Sequence, residues 1–355
     1  GSYSVTPDAP LTDGTPALSV SFTAPSGNES AQSPVLPITL DSAAPGVPTI
    51  TAPIEGDNII SADEATDVLI AGTAEANAVI DVTLTDSSGT PVTQQVTADG
   101  SGAWTLTTTE LDASGLADGA ATVSATATDT AGNVSVPATA NVTIDTTAPT
   151  TPAGAPDLVD ASDTGVSNTD DITSDTTPTF SGTGTAGDTV TLYDDGTAVG
   201  TALVQPDGSY SVTPTVPVGE GASDFTVTFT DPNGNESVAS PALTVTVDAT
   251  APTAPAAAPD LDDASDTGVS NIDDITSDTT PTVSGTGATP NDTVTLYADG
   301  VSVGTGTVAA DGSYSVTPDS PLADGTPDLS VSFTDPSGNE SVQSPALPIT
   351  LDSAA

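Results

Sequence analysis

Lysine, arginine and histidine are all missing from this sequence, while Asp and Glu together number 49. A folded domain ordinarily interleaves charges of both signs. Here no side chain can neutralise a carboxylate, so each acid must be solvated, protonated or bound to a metal ion. The same absence excludes whole classes of function. Nucleic acid and anionic membranes are bound through basic residues, so neither is a partner. Catalytic triads, thiolate chemistry, Schiff bases and phosphate clamps need His, Cys, Lys or Arg, so an enzyme is not expected. There is no cysteine, hence no disulfide. No apolar run approaches the 18 residues of a membrane span. Methionine is also absent, so the chain is expected to be an internal piece of a longer product, with any secretion signal outside it. Without Lys or Arg there is no trypsin-type cleavage site, which suits a protease-rich exterior.

The acids are unevenly spread. Six aspartates fall between Asp157 and Asp175, and seven between Asp260 and Asp278. Packed carboxylates with no internal cation point to oxygen-ligand sites for a hard divalent ion, calcium first. The loop pattern of an EF-hand is absent. For isolated pairs such as Asp194–Asp195, a solvated hairpin turn is the expectation instead.

The chain is an array. The string DGSYSVTP occurs at 207–214 and again at 311–318, and ASDTGVSN at 161–168 and 264–271. Asp41, Asp145, Asp248 and Asp352 each close an alternating strand, at spacings of 103 or 104 residues. Pro-bearing segments follow them (SAAPGVP, TTAPTTP, ATAPTAP) and end the strands. Modules are therefore expected at 45–148, 149–251 and 252–355. Residues 1–44 read as the back half of another module. They match 312–355 at 38 of 44 positions, whereas 208–251 match 312–355 at only 27 of 44. A higher-order repeat of 311 residues is the expectation.

Every module reads as β. In the second, Val190 and Leu192 alternate within 189–194, and Asp195-Gly196 makes a tight turn. Tyr210 and Val212 share a face, as do Phe225, Val227 and Phe229, and as do Leu243, Val245 and Val247. About seven short strands per hundred residues predict an all-β fold: tandem immunoglobulin-like sandwiches arranged end to end as a rod. The sparse aromatics at alternating positions are read as core.

The runs DTTPTFSGTGTAGDTVTLYDDG, DGSYSV, TDPNGNES and VTVDATAP resemble the bacterial immunoglobulin-like repeats of giant surface adhesins. These include biofilm-associated proteins and the extender regions of RTX adhesins. The likeness covers the whole chain, with the first full module a sister subtype (TDTAGN). The resemblance implies a non-enzymatic, calcium-stiffened spacer at the bacterial cell surface, involved in attachment or biofilm formation. Its partners would be the neighbouring modules of the same chain. The alternative is a self-associating or matrix-binding fibre module of a biofilm filament.

In such a sandwich three things are expected to meet at each joint: the last Asp of one module, the start of the next, and that next module's loops. The joint into the second module would then gather Asp145, Asp157, Asp160, Asp163, Asn168, Asp170, Asp171, Asp175, Asp231 and Asn235. The joint after it would gather Asp248, Asp260, Asp263, Asp266, Asn271, Asp273, Asp274, Asp278, Asp335 and Asn339. The joint into the first module is thinner, with Asp41, Glu55, Asp57, Asp63, Glu64 and Asp129. All are candidate Ca2+ ligands, and the thin joint should recur at every third position of the array.

Overall fold

The computed structural model describes residues 1–106 and 111–354. They form two compact units, Gly1–Ala148 with Asn233–Asn235, and Pro149–Pro232 with Glu236–Ala355. Ala355, which closes the expected third module, lies outside the described residues.

The second unit holds two sandwiches. In the first of these, Thr189–Asp194 and Gly221–Thr230 are the central strands of a five-stranded sheet. Thr197–Leu203 flanks the one, and Leu243–Val247 flanks the other, followed by Ile172–Thr173. The facing sheet has three strands, Asp157–Leu158, Phe180–Thr183 and Ser209–Val212. Alternation decides which side chains go inward, because strand side chains point to opposite faces. Val190, Leu192, Val212, Phe225, Val227 and Val245 are accordingly buried between the sheets. The Asp195-Gly196 turn has φ of 47° and 78°, the left-handed pair that a two-residue hairpin needs. The next sandwich is built around Val294, Leu296, Tyr314, Val331 and Phe333, but its closing strand is broken into Leu347–Pro348 and Thr350–Leu351, so the larger sheet has four strands and Ile275–Thr276 pairs with Thr350–Leu351 apart from it.

The first unit holds the sandwich of residues 49–144. Its five-stranded sheet runs Ile59–Ile60, Ala138–Ile144, Gly119–Thr128, Val79–Thr85, Pro91–Thr97. Its core is built on Ile80, Val82, Leu84, Val123 and Trp104. The same unit contains residues 1–44, where Ala17–Leu18 pairs with Leu36–Pro37. The Tyr3–Phe22 ring contact at 5.2 Å copies that of Tyr314–Phe333 at 5.4 Å. Tyr3 and Phe22 are each 59 % exposed, while Tyr314 and Phe333 are buried, because only the latter have a complete sandwich around them.

One carboxylate organises the hairpin of the first sandwich. Asp86 Oδ1 accepts from Ser88 N, the Ser88 hydroxyl and Thr90 N at 2.7–2.9 Å, and Oδ2 accepts from Ala117 N at 2.8 Å. These donors, the Ala117 amide foremost, hold its pKa down at about 2. The folded value lies below the unfolded one, so this stabilisation is complete above about pH 4 and is lost as pH falls towards 2. The transition of the first sandwich should therefore move down in temperature across that window. The acid-induced shift should shrink in Asp86→Ala, as scanning calorimetry at pH 5 and pH 2.5 would show.

Candidate metal centre

The placement of the acidic segments follows from a short parallel pairing. Ile172–Thr173 runs beside Thr246–Val247, with Thr246 N donating to Asp171 O and Asp248 N to Thr173 O. This carries the end of the 157–175 segment to the trailing end of its own module, next to Asp248. Ile275–Thr276 pairs in the same way with Thr350–Leu351, and Asp352 N donates to Thr276 O. In the first sandwich Ile59–Ile60 pairs with Thr143–Ile144, and Asp145 N donates to Ile60 O.

This corrects the expected grouping. The 157–175 segment joins Asp248, not Asp145. The 260–278 segment joins Asp352, not Asp248. Residues 55–64 join Asp145, not Asp41. Of the thin set, Glu55, Asp57, Asp63 and Glu64 thus belong to the trailing end of the first module, while Asp41 and Asp129 stay together at the joint ahead of it. Two-residue parallel strands caused the displacement, and they have no periodicity to read.

The other half of the expectation stands in the geometry: the closing Asp of one module does meet the D-x-x-G-N loop of the next. Within the second unit, Asn339 Nδ2 donates to Asp248 O at 2.6 Å and to Asp335 Oδ2 at 2.9 Å. Asn339 N donates to Asp335 Oδ1 at 2.9 Å. Within the first unit, Asn133 Nδ2 donates to Asp41 O at 3.1 Å and to Asp129 Oδ2 at 2.8 Å. Also within it, Asn235 Nδ2 donates to Asp145 O at 3.0 Å, and its Oδ1 accepts from Ala62 N at 2.9 Å. Asn233 Nδ2 donates to Asp145 Oδ2. Asn133 and Asp352 were missed as site residues, although D-x-x-G-N and the closing Asp recur in every module.

The joint of the second and third modules is fully contained in one unit. Thr164 Oγ1 donates to Ser337 O at 2.9 Å and Val166 N to Pro336 O at 3.2 Å. Next to Thr164, Asp163 is only 4 % exposed. Its Oδ2 accepts a long bond from Asp171 N at 3.4 Å, and its Oδ1 is buried with no partner. Asp266 repeats this in the third module: it is 5 % exposed, its Oδ2 accepts from Asp273 N and Asp274 N, and its Oδ1 has no partner. Burial pushes the Asp163 carboxyl up, the Asp171 amide partly offsets this, and the Asp170 charge adds to it. Burial, then the charges of Asp163, Asp157 and Asp170, push Asp171 up as well. Asp274 is raised likewise by burial and by Asp266, Asp260 and Asp273.

The remaining candidates divide. Asp175 Oδ2 accepts from the Ser162 hydroxyl and its Oδ1 from Thr177 N, and Asp278 does the same with Ser265 and Thr280. Glu64 accepts from Ser61 N and its hydroxyl, Asp57 from Ile59 N, and Glu55 from Leu69 N. Asp63, Asp157, Asp160, Asn168, Asp170, Asp260, Asp263, Asn271 and Asp273 are exposed. Among the described residues no three acidic side chains gather closely enough to hold a metal ion by themselves. A calcium ion here would take its six to eight oxygens from one or two carboxylates with carbonyls, amides and water. The unpartnered oxygens of Asp163 and Asp266 fit that role.

These features define a structural repeat protein: tandem β-sandwiches joined by an Asp–Asn contact and flanked by carboxylates. The sequence profile of the bacterial Ig-like domain matches residues 49–146, 150–249 and 253–353, and the chain belongs to that family. It is similar to a solved tetra-tandem repeat from the extending region of a large adhesion protein, at 29 % identity over 97 % of this chain and 83 % of that one, with a TM-score of 0.28. It is similar also to a Ca2+-stabilized adhesin with which an Antarctic bacterium binds ice, at 28 % identity, 94 % and 81 % coverage, and a TM-score of 0.36. A 1.5-MDa bacterial ice-binding adhesin matches at 26 % identity, 86 % and 99 % coverage, and a TM-score of 0.29. No curated protein sequence matches the chain.

Proposed function

We propose that this chain is a calcium-stiffened, non-catalytic extender of a large bacterial cell-surface adhesin. Its modules divide at 44/45, 148/149 and 251/252, and each serves its neighbours in the same chain as spacer and support. The observation that carries the reading is the unpartnered, buried Asp163 Oδ1 beside the Thr164–Ser337 contact. A buried charge without a partner is costly. In a chain without a single basic side chain, a divalent ion is the counter-charge that would also brace the joint. The extracellular setting suits the reading, since calcium is abundant there. The lack of catalytic residue types fits a passive mechanical role.

Calcium at millimolar concentration is expected to raise the melting temperature, because a ligand that binds only the folded state stabilises it by mass action. It should also narrow the angular spread between modules, and chelation should reverse both effects. Small-angle scattering and calorimetry with and without calcium test this. Absence of any heat of calcium binding at millimolar concentration would overturn it.

A further inference from the structure

The five-stranded sheet of the first sandwich ends in Pro91–Thr97, and among the described residues no strand lies beyond it. Ala98 N donates to Ala78 O at 2.9 Å, and Asp86 N to Thr90 O at 3.0 Å. Antiparallel pairs alternate between bonded and unbonded. Val92, Gln94 and Val96 therefore turn their backbone N–H and C=O towards Val79–Thr85. Thr93, Gln95 and Thr97 turn theirs to the open edge, together with the Pro91 carbonyl. Such an edge is a template for a further strand unless a bulge, a charge or a cover blunts it.

The second and third sandwiches have the bulge. Their edge strands, Thr197–Leu203 and Val301–Thr307, shift register at Leu192/Tyr193 and at Leu296/Tyr297, which leaves Val199 and Val303 as the extra residues. A bulge bends the strand and raises its twist. In the first sandwich each residue from Pro91 to Thr97 has its partner on Val79–Thr85 with no shift. No charge guards this edge either: the chain has 49 acids, yet PVTQQVT carries none. On the outer face the side chains are tied flat to the sheet. Thr93 Oγ1 lies 2.8 Å from Thr83 Oγ1, and Gln95 Nε2 donates to Asp81 Oδ1 at 2.8 Å. Val92–Thr97 is β-prone and has no Gly, Pro or charge, the composition of segments that stack on their own copies.

The side-chain pattern selects the occupant. Val92, Gln94 and Val96 are half-buried on the inner side, and the two valines pack against the core. Val-Gln-Val reads the same in both directions. An antiparallel copy centred on Gln94 sets Val92 opposite Val96 of the second copy, and Gln94 opposite its own counterpart. In that register the outward N–H and C=O groups of Thr93 and Gln95 meet each other, and Thr97 N meets the Pro91 carbonyl. Inner face continues into inner face. A foreign strand could take the same hydrogen bonds, but it would have no reason to match Val-Gln-Val.

We infer that Pro91–Thr97 is a self-pairing edge, through which two copies of this chain join their first sandwiches into one continuous antiparallel sheet about a two-fold axis at Gln94. This goes beyond the spacer role: the first module is a lateral contact point, and the bulged second and third modules are not. Antiparallel pairing points the two modules in opposite directions, the arrangement in which chains held on two separate surfaces would meet.

The test is cysteine crosslinking of the full chain, which has no cysteine of its own. Opposed Cβ atoms in an antiparallel pair lie about 4.5–5.5 Å apart, closest in unbonded pairs such as this one, so Gln94→Cys should give a disulfide-linked dimer under mild oxidation. Leu203→Cys, on the bulged edge of the second module, is the control for chance collision and should crosslink far more slowly. Gln95→Cys should also be slow, because residue 95 meets residue 93. In sedimentation, wild type should shift from monomer to dimer as concentration rises, and Thr93→Pro should stay monomeric. The Thr93 N–H lies outside the ladder to Val79–Thr85, so the first sandwich should still fold. If proline disturbs folding, Gln94→Glu sets like charges opposite each other and should also be monomeric. Crosslinking of Gln94→Cys no faster than Leu203→Cys overturns the inference. So does a wild type that stays monomeric, or a dimer that Gln95→Cys traps better than Gln94→Cys. Calcium is held constant throughout, so failure here leaves the calcium-stiffened spacer standing.

Discussion

Phe225→Ala should unfold the second module far below the temperature at which the first and third unfold. Phe225 is fully buried, and its ring lies 4.5 Å from that of Phe180, tilted by 31°. Truncating a buried Phe costs about 3–5 kcal/mol, part of it lost transfer energy and part the cavity left behind. Each kcal/mol shifts the melting temperature of a domain of this size by roughly 4–8 °C, so a drop of more than about 10 °C is expected. The loss should stay local, because the three cores share no residue. The third module offers a built-in comparison, with Val283 and Leu329 standing where the second has Phe180 and Phe225. Calorimetry would resolve this as one displaced transition among otherwise unmoved ones. Displacement of every transition together would show that the modules unfold as one cooperative body.

The separate cores were legible in the sequence, because they rest on period-two stripes repeated at fixed spacing. Val190, Leu192, Phe225, Val227 and Val245 lie inward as the alternation requires. The Asp195-Gly196 turn was legible too, since few other pairs adopt two successive positive φ values. What escaped was the destination of the acidic segments. Asp157–Leu158 and Ile172–Thr173 are only two residues long. A pattern needs several turns of its period before it can be read, and these have one. Yet that brief parallel pairing decides which end of the module receives the end of the acidic segment.

Gly165→Ala should open the joint of the second and third modules while leaving both cores intact. Gly165 has φ of +112°, where side chains are strained, and a Cβ there would collide with Pro336 O and lie 2.8 Å from Ser337 C. These are backbone atoms, so no rotamer change relieves the clash. Gly338 approaches from the other side, and a Cβ on it would sit 2.9 Å from Gly165 Cα. Glycine at 165 is thus what lets the two loops touch. The added methyl would have to break the Val166–Pro336 hydrogen bond, and the Thr164–Ser337 bond with it. Gly268 is the control. It occupies the same place in the third module with φ of +139°, but the nearest atom to its Cβ is Ile275 O at 3.9 Å. Gly268→Ala therefore carries the backbone strain, on the order of 1–3 kcal/mol, without the collision. Spin labels on the second and third modules should report a broader distance distribution for Gly165→Ala than for wild type, with Gly268→Ala unchanged. Melting of the two cores should differ little between the two variants. If Gly165→Ala kept the wild-type distribution, the loop contact would not be what holds this joint.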